Sequence, residues 1–367
     1  MKKIIIVIGT RPNFIKVTRF KKVAQKNYPN LDIKFVHTGQ HFDEKMSKIF
    51  FEQLDLKPDY LLNIGQDTAN SQMAQVMLGL EKVCNEYQPD LIMVVGDVNS
   101  TFAAALTANK LGIKIAHLES GLRSFDNEMP EEINRILTDK ITDFYFVTEK
   151  SGLENLENEG VSKNKVFLVG NTMIDSLVEF DEEVNKSDVL EEYQLKSKHF
   201  VLMTMHRPSN VDSLEGLVTL IDIIDSISHN YKIVFPIHPR TIAKLKSFGL
   251  YEKLSSNKNL ILCEPLNYFS FQKLTAECAF VVTDSGGIQE ETTYRQIPCL
   301  TLRNNTERPV TIELGTNQLV EYNVDSVNHE INKIRNGTYK KGTIPFLWDG
   351  KSTERVLEVL NQVLHQS

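Results

Sequence analysis

Short apolar, β-branched runs recur along the chain, with amphipathic stretches between them. This alternation constrains the fold more than any other feature. In the first half the runs lie at 4–8, 33–37, 91–95, 114–117, 144–147 and 166–169. In the second half they lie at 200–205, 232–237, 260–263, 280–283, 299–302 and 318–320. Nearly continuous hydrophobicity over about four to six residues fits strands covered on both faces. Segments of helical length separate them, at 15–27, 71–86, 100–111 and 214–228. Such alternation builds βαβ units and therefore parallel sheets. About six strands per half predicts an α/β protein of two doubly wound, Rossmann-like domains in series.

The length of 367 residues agrees with two domains, at roughly 150 residues each. The expected boundary follows Gly170, where a strand ends before a helix over 172–184. A last amphipathic helix over 352–366 is expected to pack back on the first domain. The division is thus 1–170 plus 350–367 for the N-terminal domain and 171–349 for the C-terminal one. The balance of 41 basic and 48 acidic residues, net −7, argues against a nucleic-acid or anionic-membrane partner. The first apolar run, 4–8, is too short for a membrane span or a signal core. Four scattered cysteines, Cys84, Cys263, Cys278 and Cys299, form no CxxC and read as buried apolar residues in a reducing cytoplasm.

In open α/β sheets, ligands bind beyond the carboxyl ends of the strands. Two such domains facing each other would frame a cleft, and the polar clusters fall where it would be lined. After the first run stand Arg11, Asn13 and Lys16, and after the second Gln40 and His41. Asp97 and Glu119 follow neighbouring runs, and Pro130-Glu131-Glu132 opens a helix. Carboxylates close together in a partly desolvated site push their pKa values apart and so supply an acid and a base. Acidic residues at a helix start also complement its dipole, which is the structural reading of Glu132.

In the second half, His206-Arg207, His238 and Arg308 follow strands, and Ser285-Gly286-Gly287 joins a strand to a helix. Glycines admit close backbone approach, and a helix N-terminus offers free N–H groups to a diphosphate. The same tripeptide also serves ordinary tight turns. Glu290 and Glu291 stand where they can accept from ribose hydroxyls. Arg11 and Arg308 each precede a proline, and their guanidinium forks suit phosphate oxygens as well as surface ion pairs. No metal-ligand spacing, P-loop, GxGxxG after the first run or G-x-S-x-G is present. The residues alone describe an enzyme that binds an anionic, nucleotide-like ligand and acts on it with carboxylates.

Nine motifs in this order resemble the non-hydrolysing UDP-N-acetylglucosamine 2-epimerases over essentially the whole chain. They are GTRP at 9–12, TGQH at 38–41, GDVNST at 96–101, HLESGLRS at 117–124, MPEEINRILTD at 129–139, VGNTMID at 169–175, HR at 206–207, TDSGGIQEE at 283–291 and TERP at 306–309. The resemblance implies the two-domain GT-B fold, no cofactor or metal, a UDP-sugar substrate and a homodimer. It assigns Asp97, Glu119 and Glu131 as catalytic carboxylates and His206 as the histidine beside the phosphates. It places Arg11, Ser285, Gly286, Gly287 and Arg308 on the diphosphate and Glu291 on the ribose, with Lys16 among the substrate-binding residues. Pro265 and Leu266, followed by Tyr268, correspond to the uracil loop. Gln40, His41, Arg207 and His238 would frame an allosteric pocket.

The implied reaction converts UDP-GlcNAc to UDP-ManNAc by anti elimination of UDP. UDP then re-adds to 2-acetamidoglucal while a proton arrives on the other face. The chain departs from the family at three places. Asn13 stands where many members have glutamate. Pro208-Ser209-Asn210-Val211-Asp212 replaces an arginine-rich segment, and no arginine lies near 65–68. A 2-epimerase of a fucosamine-type or 2,3-diacetamido-uronic UDP sugar is the second reading. A GT-B glycosyltransferase is the third.

Overall fold

A computed structural model describes residues 1–39, 53, 54, 56–65 and 67–365. The chain divides into two units, residues 1–179 with 346–367, and residues 180–345. The expected boundary after Gly170 lies one helix earlier than this division. The helix Thr172–Glu179 goes with the first unit because the buried Asp175 carboxylate accepts from Ser352 N at 3.0 Å and Thr353 N at 2.6 Å. Those two residues open the last helix, Ser352–His365, which falls in unit 1.

Unit 1 holds a seven-stranded sheet. Its strands are β1 (Lys2–Ile8), β2 (Leu31–His37), β3 (Tyr60–Leu61), β4 (Leu91–Val95), β5 (Lys114–Leu118), β6 (Phe144–Val147) and β7 (Val166–Leu168). They run in the order β3-β2-β1-β4-β5-β6-β7, and every pairing is parallel. The two-residue β3 carries no apolar run and was not foreseen. The helix expected over 15–27 is instead two, Arg11–Val17 and Phe20–Asn27. At the break Thr18 Oγ1 bonds back to Ile15 O at 3.3 Å. Arg19 there reaches Gly350 O at 2.7 Å and Glu354 at 2.7 Å.

Unit 2 holds a six-stranded sheet of β8 (Phe200–Thr204), β9 (Lys232–Pro236), β10 (Leu260–Cys263), β11 (Phe280–Thr283), β12 (Cys299–Thr301) and β13 (Asn317–Leu319). Its order is β10-β9-β8-β11-β12-β13, again all parallel. Alternate residues feed two cores. Val201, Met203, Ile233, Phe235, Phe280 and Val282 face one core, and Phe200, Leu202, Val234 and Val281 face the other. This is the two-sided burial that unbroken apolar runs require. Each such side chain contributes about 1.5–3 kcal/mol. The helix expected over 172–184 breaks before Asp181 into Thr172–Glu179 and Asp181–Asn185.

The four cysteines are free thiols, three of them buried and Cys263 half-buried. No helix among the described residues is long and apolar enough to cross a membrane.

Candidate functional site

In each sheet the strand order reverses once, between β1 and β4 in unit 1 and between β8 and β11 in unit 2. Loops part at such a crossover, so a ligand can reach the strand ends there. Asn13, Lys16, Asp97 and Glu119 lie near the first crossover, and His206, Arg207 and Ser285 near the second.

In unit 1, Asn13 ties the two central strands together. Its Oδ1 accepts from Gly9 N at 3.2 Å and Thr10 N at 3.1 Å, and its Nδ2 donates to Val95 O at 3.2 Å. A glutamate can accept in this way but cannot donate to the β4 carbonyl, so Asn13 is an internally consistent departure. Beside it, Lys16 and Glu119 form a buried ion pair. Glu119 holds φ at +75°, a conformation that non-glycine residues rarely adopt and that recurs at functional positions. Its backbone N donates to Phe146 O at 3.0 Å, so the sheet enforces the strained turn. Gly96, at the end of β4, has φ +67°. A Cβ built there would stand 3.3 Å from both the Asn13 amide and the Glu119 carboxylate.

Asp97 follows Gly96 and is held by Arg135, Nη1 to Oδ2 at 2.6 Å. Arg135 is buried and also grips Glu132, Nη2 to Oε2 at 2.7 Å. Burial alone would raise the Glu132 carboxyl. The backbone and hydroxyl of Ser124, with Arg135, outweigh it and hold the group below the usual range. Glu132 is therefore a brace for the 123–125 loop, while Glu131, one residue earlier, is exposed. Under Gly96 lies His117, fully buried, with Nε2 2.8 Å from Gly96 O and Nδ1 2.7 Å from Asp139.

In unit 2, Asp284 is the organising residue, and it was missed from the sequence. It is fully buried and accepts from His206 N at 3.0 Å, Arg207 N at 2.8 Å and Asn210 Nδ2 at 3.3 Å. His206 Nδ1 lies 3.0 Å from its Oδ1, while the His206 side chain is 44% exposed. Burial pushes the Asp284 carboxyl up, but the His206 ring and the two backbone donors outweigh this and leave it below the usual value. The carboxylate thus fixes which histidine nitrogen faces outward.

Ser285 occupies the N-cap position of the helix Gly286–Arg295 without a side-chain cap bond. A Cβ on Gly286 would stand 2.7 Å from both Arg308 Nη1 and Glu307 Oε1. Only glycine therefore lets the buried Arg308 lie against this helix start. Arg308 also pairs with Glu290, Nε to Oε2 at 3.1 Å. Burial pushes the Glu291 carboxyl up to about 7, with Gln272 and Arg295 pulling the other way. Pro265 and Leu266 are half-buried in the loop before the helix Tyr268–Glu277.

The remaining candidates divide. Arg207 Nε donates to Asp284 O at 3.0 Å, and the His206 and His238 rings lie 6.0 Å apart. His238 is an exposed helix cap whose Nδ1 accepts from Arg240 N at 3.2 Å. Gln40, His41 and the side chain of Arg11 lie outside the described residues. Among the described residues, no group of three or more His, Cys, Asp or Glu could hold a metal ion.

Comparison with known proteins finds similarity over nearly the whole length. A family model described as UDP-N-acetylglucosamine 2-epimerase matches residues 23–361. The chain is 41% identical over 368 residues to the UDP-N-acetylglucosamine 2-epimerase of Methanocaldococcus jannaschii, covering 98% of each chain. It is 38% identical over 322 residues to the UDP-2,3-diacetamido-2,3-dideoxy-D-glucuronate 2-epimerase of Pseudomonas aeruginosa, covering 87% of this chain and 88% of that one. The crystal structure of the M. jannaschii enzyme in complex with UDP-GlcNAc and UDP is similar at a TM-score of 0.89. It is 42% identical and matches 99% of this chain and 100% of that one.

Proposed function

The chain belongs to the UDP-N-acetylglucosamine 2-epimerase family, and on that premise we propose that it interconverts UDP-GlcNAc and UDP-ManNAc without hydrolysis. The observation that carries this is the pair of carboxylates at adjoining strand ends of unit 1, Asp97 on Arg135 and Glu119 on Lys16. The C2 proton of the sugar has no carbonyl beside it and is not acidic, so direct abstraction is slow. Elimination avoids the difficulty. A carboxylate takes the C2 proton, the C1–O bond breaks, and its electron pair leaves on the UDP diphosphate. A proton then returns to C2 from the other face, and UDP adds back to C1. Protonation on two faces calls for more than one acid–base group, which Asp97, Glu119 and Glu131 supply.

Unit 2 supplies the nucleotide contacts in this reading. Ser285, Gly286 and Gly287 present backbone N–H groups to the diphosphate, and Arg308 supplies positive charge. His206 steadies the departing UDP, Glu291 takes the ribose, and Pro265 and Leu266 receive the base. A homodimer acting in the cytoplasm completes the proposal.

Proton NMR with UDP-GlcNAc in D₂O tests it. UDP-ManNAc should appear, with deuterium at C2 of both sugars. Free ManNAc with UDP would instead mark a hydrolysing enzyme. No exchange would favour the second reading, a 2-epimerase of a modified UDP-HexNAc, which the 38% identity to the P. aeruginosa relative supports.

Gly286→Ala should weaken UDP binding at least about tenfold by calorimetry, because the new methyl displaces the buried Arg308 head. An unchanged Kd would remove the Ser285-Gly286-Gly287 turn from the diphosphate site.

A further inference from the structure

The loop that leaves β5 carries two non-glycine residues at positive φ, Glu119 at +75° and Phe125 at +57°. Glu119 is buried and paired with Lys16. Phe125 is 79% exposed. A phenylalanine in the left-handed region is strained, because its Cβ crowds the backbone, and glycine or asparagine fits there more easily. A large apolar ring left in water is a second cost. The other positive-φ residues differ. Gln88 and Gln296 end helices, where a left-handed residue satisfies the last carbonyls. Asn63, Gln194 and Lys198 are polar, and Leu347 is half-buried. Phe125 alone among the described residues combines a left-handed backbone with a mostly exposed, large apolar side chain.

Neighbouring groups enforce this conformation. Glu132 accepts from Phe125 N at 3.0 Å and from Ser124 N and Oγ, both at 2.9 Å. Arg135 donates to Glu132 through Nε and Nη2, and to Asp97 through Nη1 at 2.6 Å. Two buried side chains, Glu132 and Arg135, thus fix Phe125 to a candidate acid–base carboxylate. Both residues follow the carboxyl ends of paired strands, Asp97 after β4 and Phe125 after β5. Strain persists where the surroundings over-determine it, and it gathers at functional sites. We propose that Phe125 is a specificity-determining residue of the epimerisation put forward above, one whose ring packs against the C–H face of the hexosamine. A pyranose carries axial C–H groups beside its hydroxyls. The electron-rich face of a phenyl ring attracts them, and both surfaces shed water. In the proposed reaction unit 2 takes the nucleotide, so the contact acts on the sugar and leaves UDP alone.

The inference rests on that reading, and the experiment separates the two. Phe125→Gly removes the ring and suits the same φ, so the chain should fold and melt like wild type. Its KM for UDP-GlcNAc should rise about tenfold with kcat within about threefold, the loss expected from one partly buried ring. Phe125→Tyr keeps the ring and should return KM to near the wild-type value. If Phe125→Gly does not fold, Phe125→Asn, also at home at this φ, takes its place with the same expectation. Calorimetry gives a readout that needs no turnover. The affinity for UDP should be unchanged, and the difference in affinity between UDP-GlcNAc and UDP should shrink. If that difference is the same in wild type and variant, zero included, the ring does not touch the sugar and the proposal falls, whatever the protein catalyses. A change confined to sedimentation would make the ring an assembly contact and overturn it too. A wild type without C2 exchange sinks the epimerisation reading, and the calorimetric comparison still decides the sugar contact.

Discussion

Glu119→Gln should lower kcat for UDP-GlcNAc epimerisation at least about a hundredfold, the usual size of an acid–base contribution. The amide keeps the size of the side chain but cannot take or give the C2 proton. It also leaves Lys16 buried without its counter-charge. Breaking one side of a buried pair costs about 3–5 kcal/mol, so the variant should melt earlier as well. Slow turnover through lost proton transfer must be separated from slow turnover through a loosened fold. The double variant Lys16→Met/Glu119→Gln does this, because it removes both charges and should recover part of the melting temperature without recovering kcat. Asp97→Asn and Glu131→Gln should be slow to a similar degree. Asp97→Asn should remain near wild type in stability, since Arg135 keeps Glu132 as a partner. Solvent deuterium at C2 is the direct readout. If all three variants turn over and exchange at near-normal rates, the carboxylates are not the acid–base groups.

Much of this arrangement is legible in the sequence. Among the described residues, unbroken apolar runs mark twelve of the thirteen strands, because strands buried within a parallel sheet read as continuous hydrophobic runs. The missing one, Tyr60–Leu61, is a two-residue edge pairing with no such trace. The strand-end positions of Asp97, Glu119, His206 and Ser285 followed from the same runs. What the sequence concealed is how these groups are held. Asp284 carries no local signal of its role, yet it gathers four donors from a loop more than seventy residues earlier. Arg135 and His117 looked like a helix residue and a strand residue. Their contacts, Asp97 at |i−j| of 38 and Gly96 at 21, arise only when strands adjoin in an order the sequence does not spell out. Local pattern shows where chemistry-bearing residues surface, whereas the buried partners that orient them are set by the sheet order.

Asp284→Asn should cost turnover about as much as Glu119→Gln does, although in the proposed reaction Asp284 touches no reacting atom. The carboxylate accepts from two backbone N–H groups, the Asn210 amide and His206 Nδ1. An asparagine oxygen serves part of this set, and its amide nitrogen turns a donor toward the rest. His206 Nδ1 then loses its acceptor, and the nitrogen facing outward changes from the one that Asp284 selects. The effect should reach kcat through the histidine alone. His206→Asn and the double variant His206→Asn/Asp284→Asn should therefore be about equally slow, since residues acting as a unit are not additive. Losses that multiply in the double variant would make Asp284 a structural residue independent of the histidine. Stability gives a second check with a fixed sign. The folded carboxyl lies below its ordinary value of 3.8, so it contributes stability that is fully present above that pH and lost as pH falls through the lower folded value. The gap in melting temperature between wild type and Asp284→Asn should be widest near neutral pH and should close in acid. A gap that stayed constant down to pH 3 would mean that the ionised carboxylate does not hold this turn.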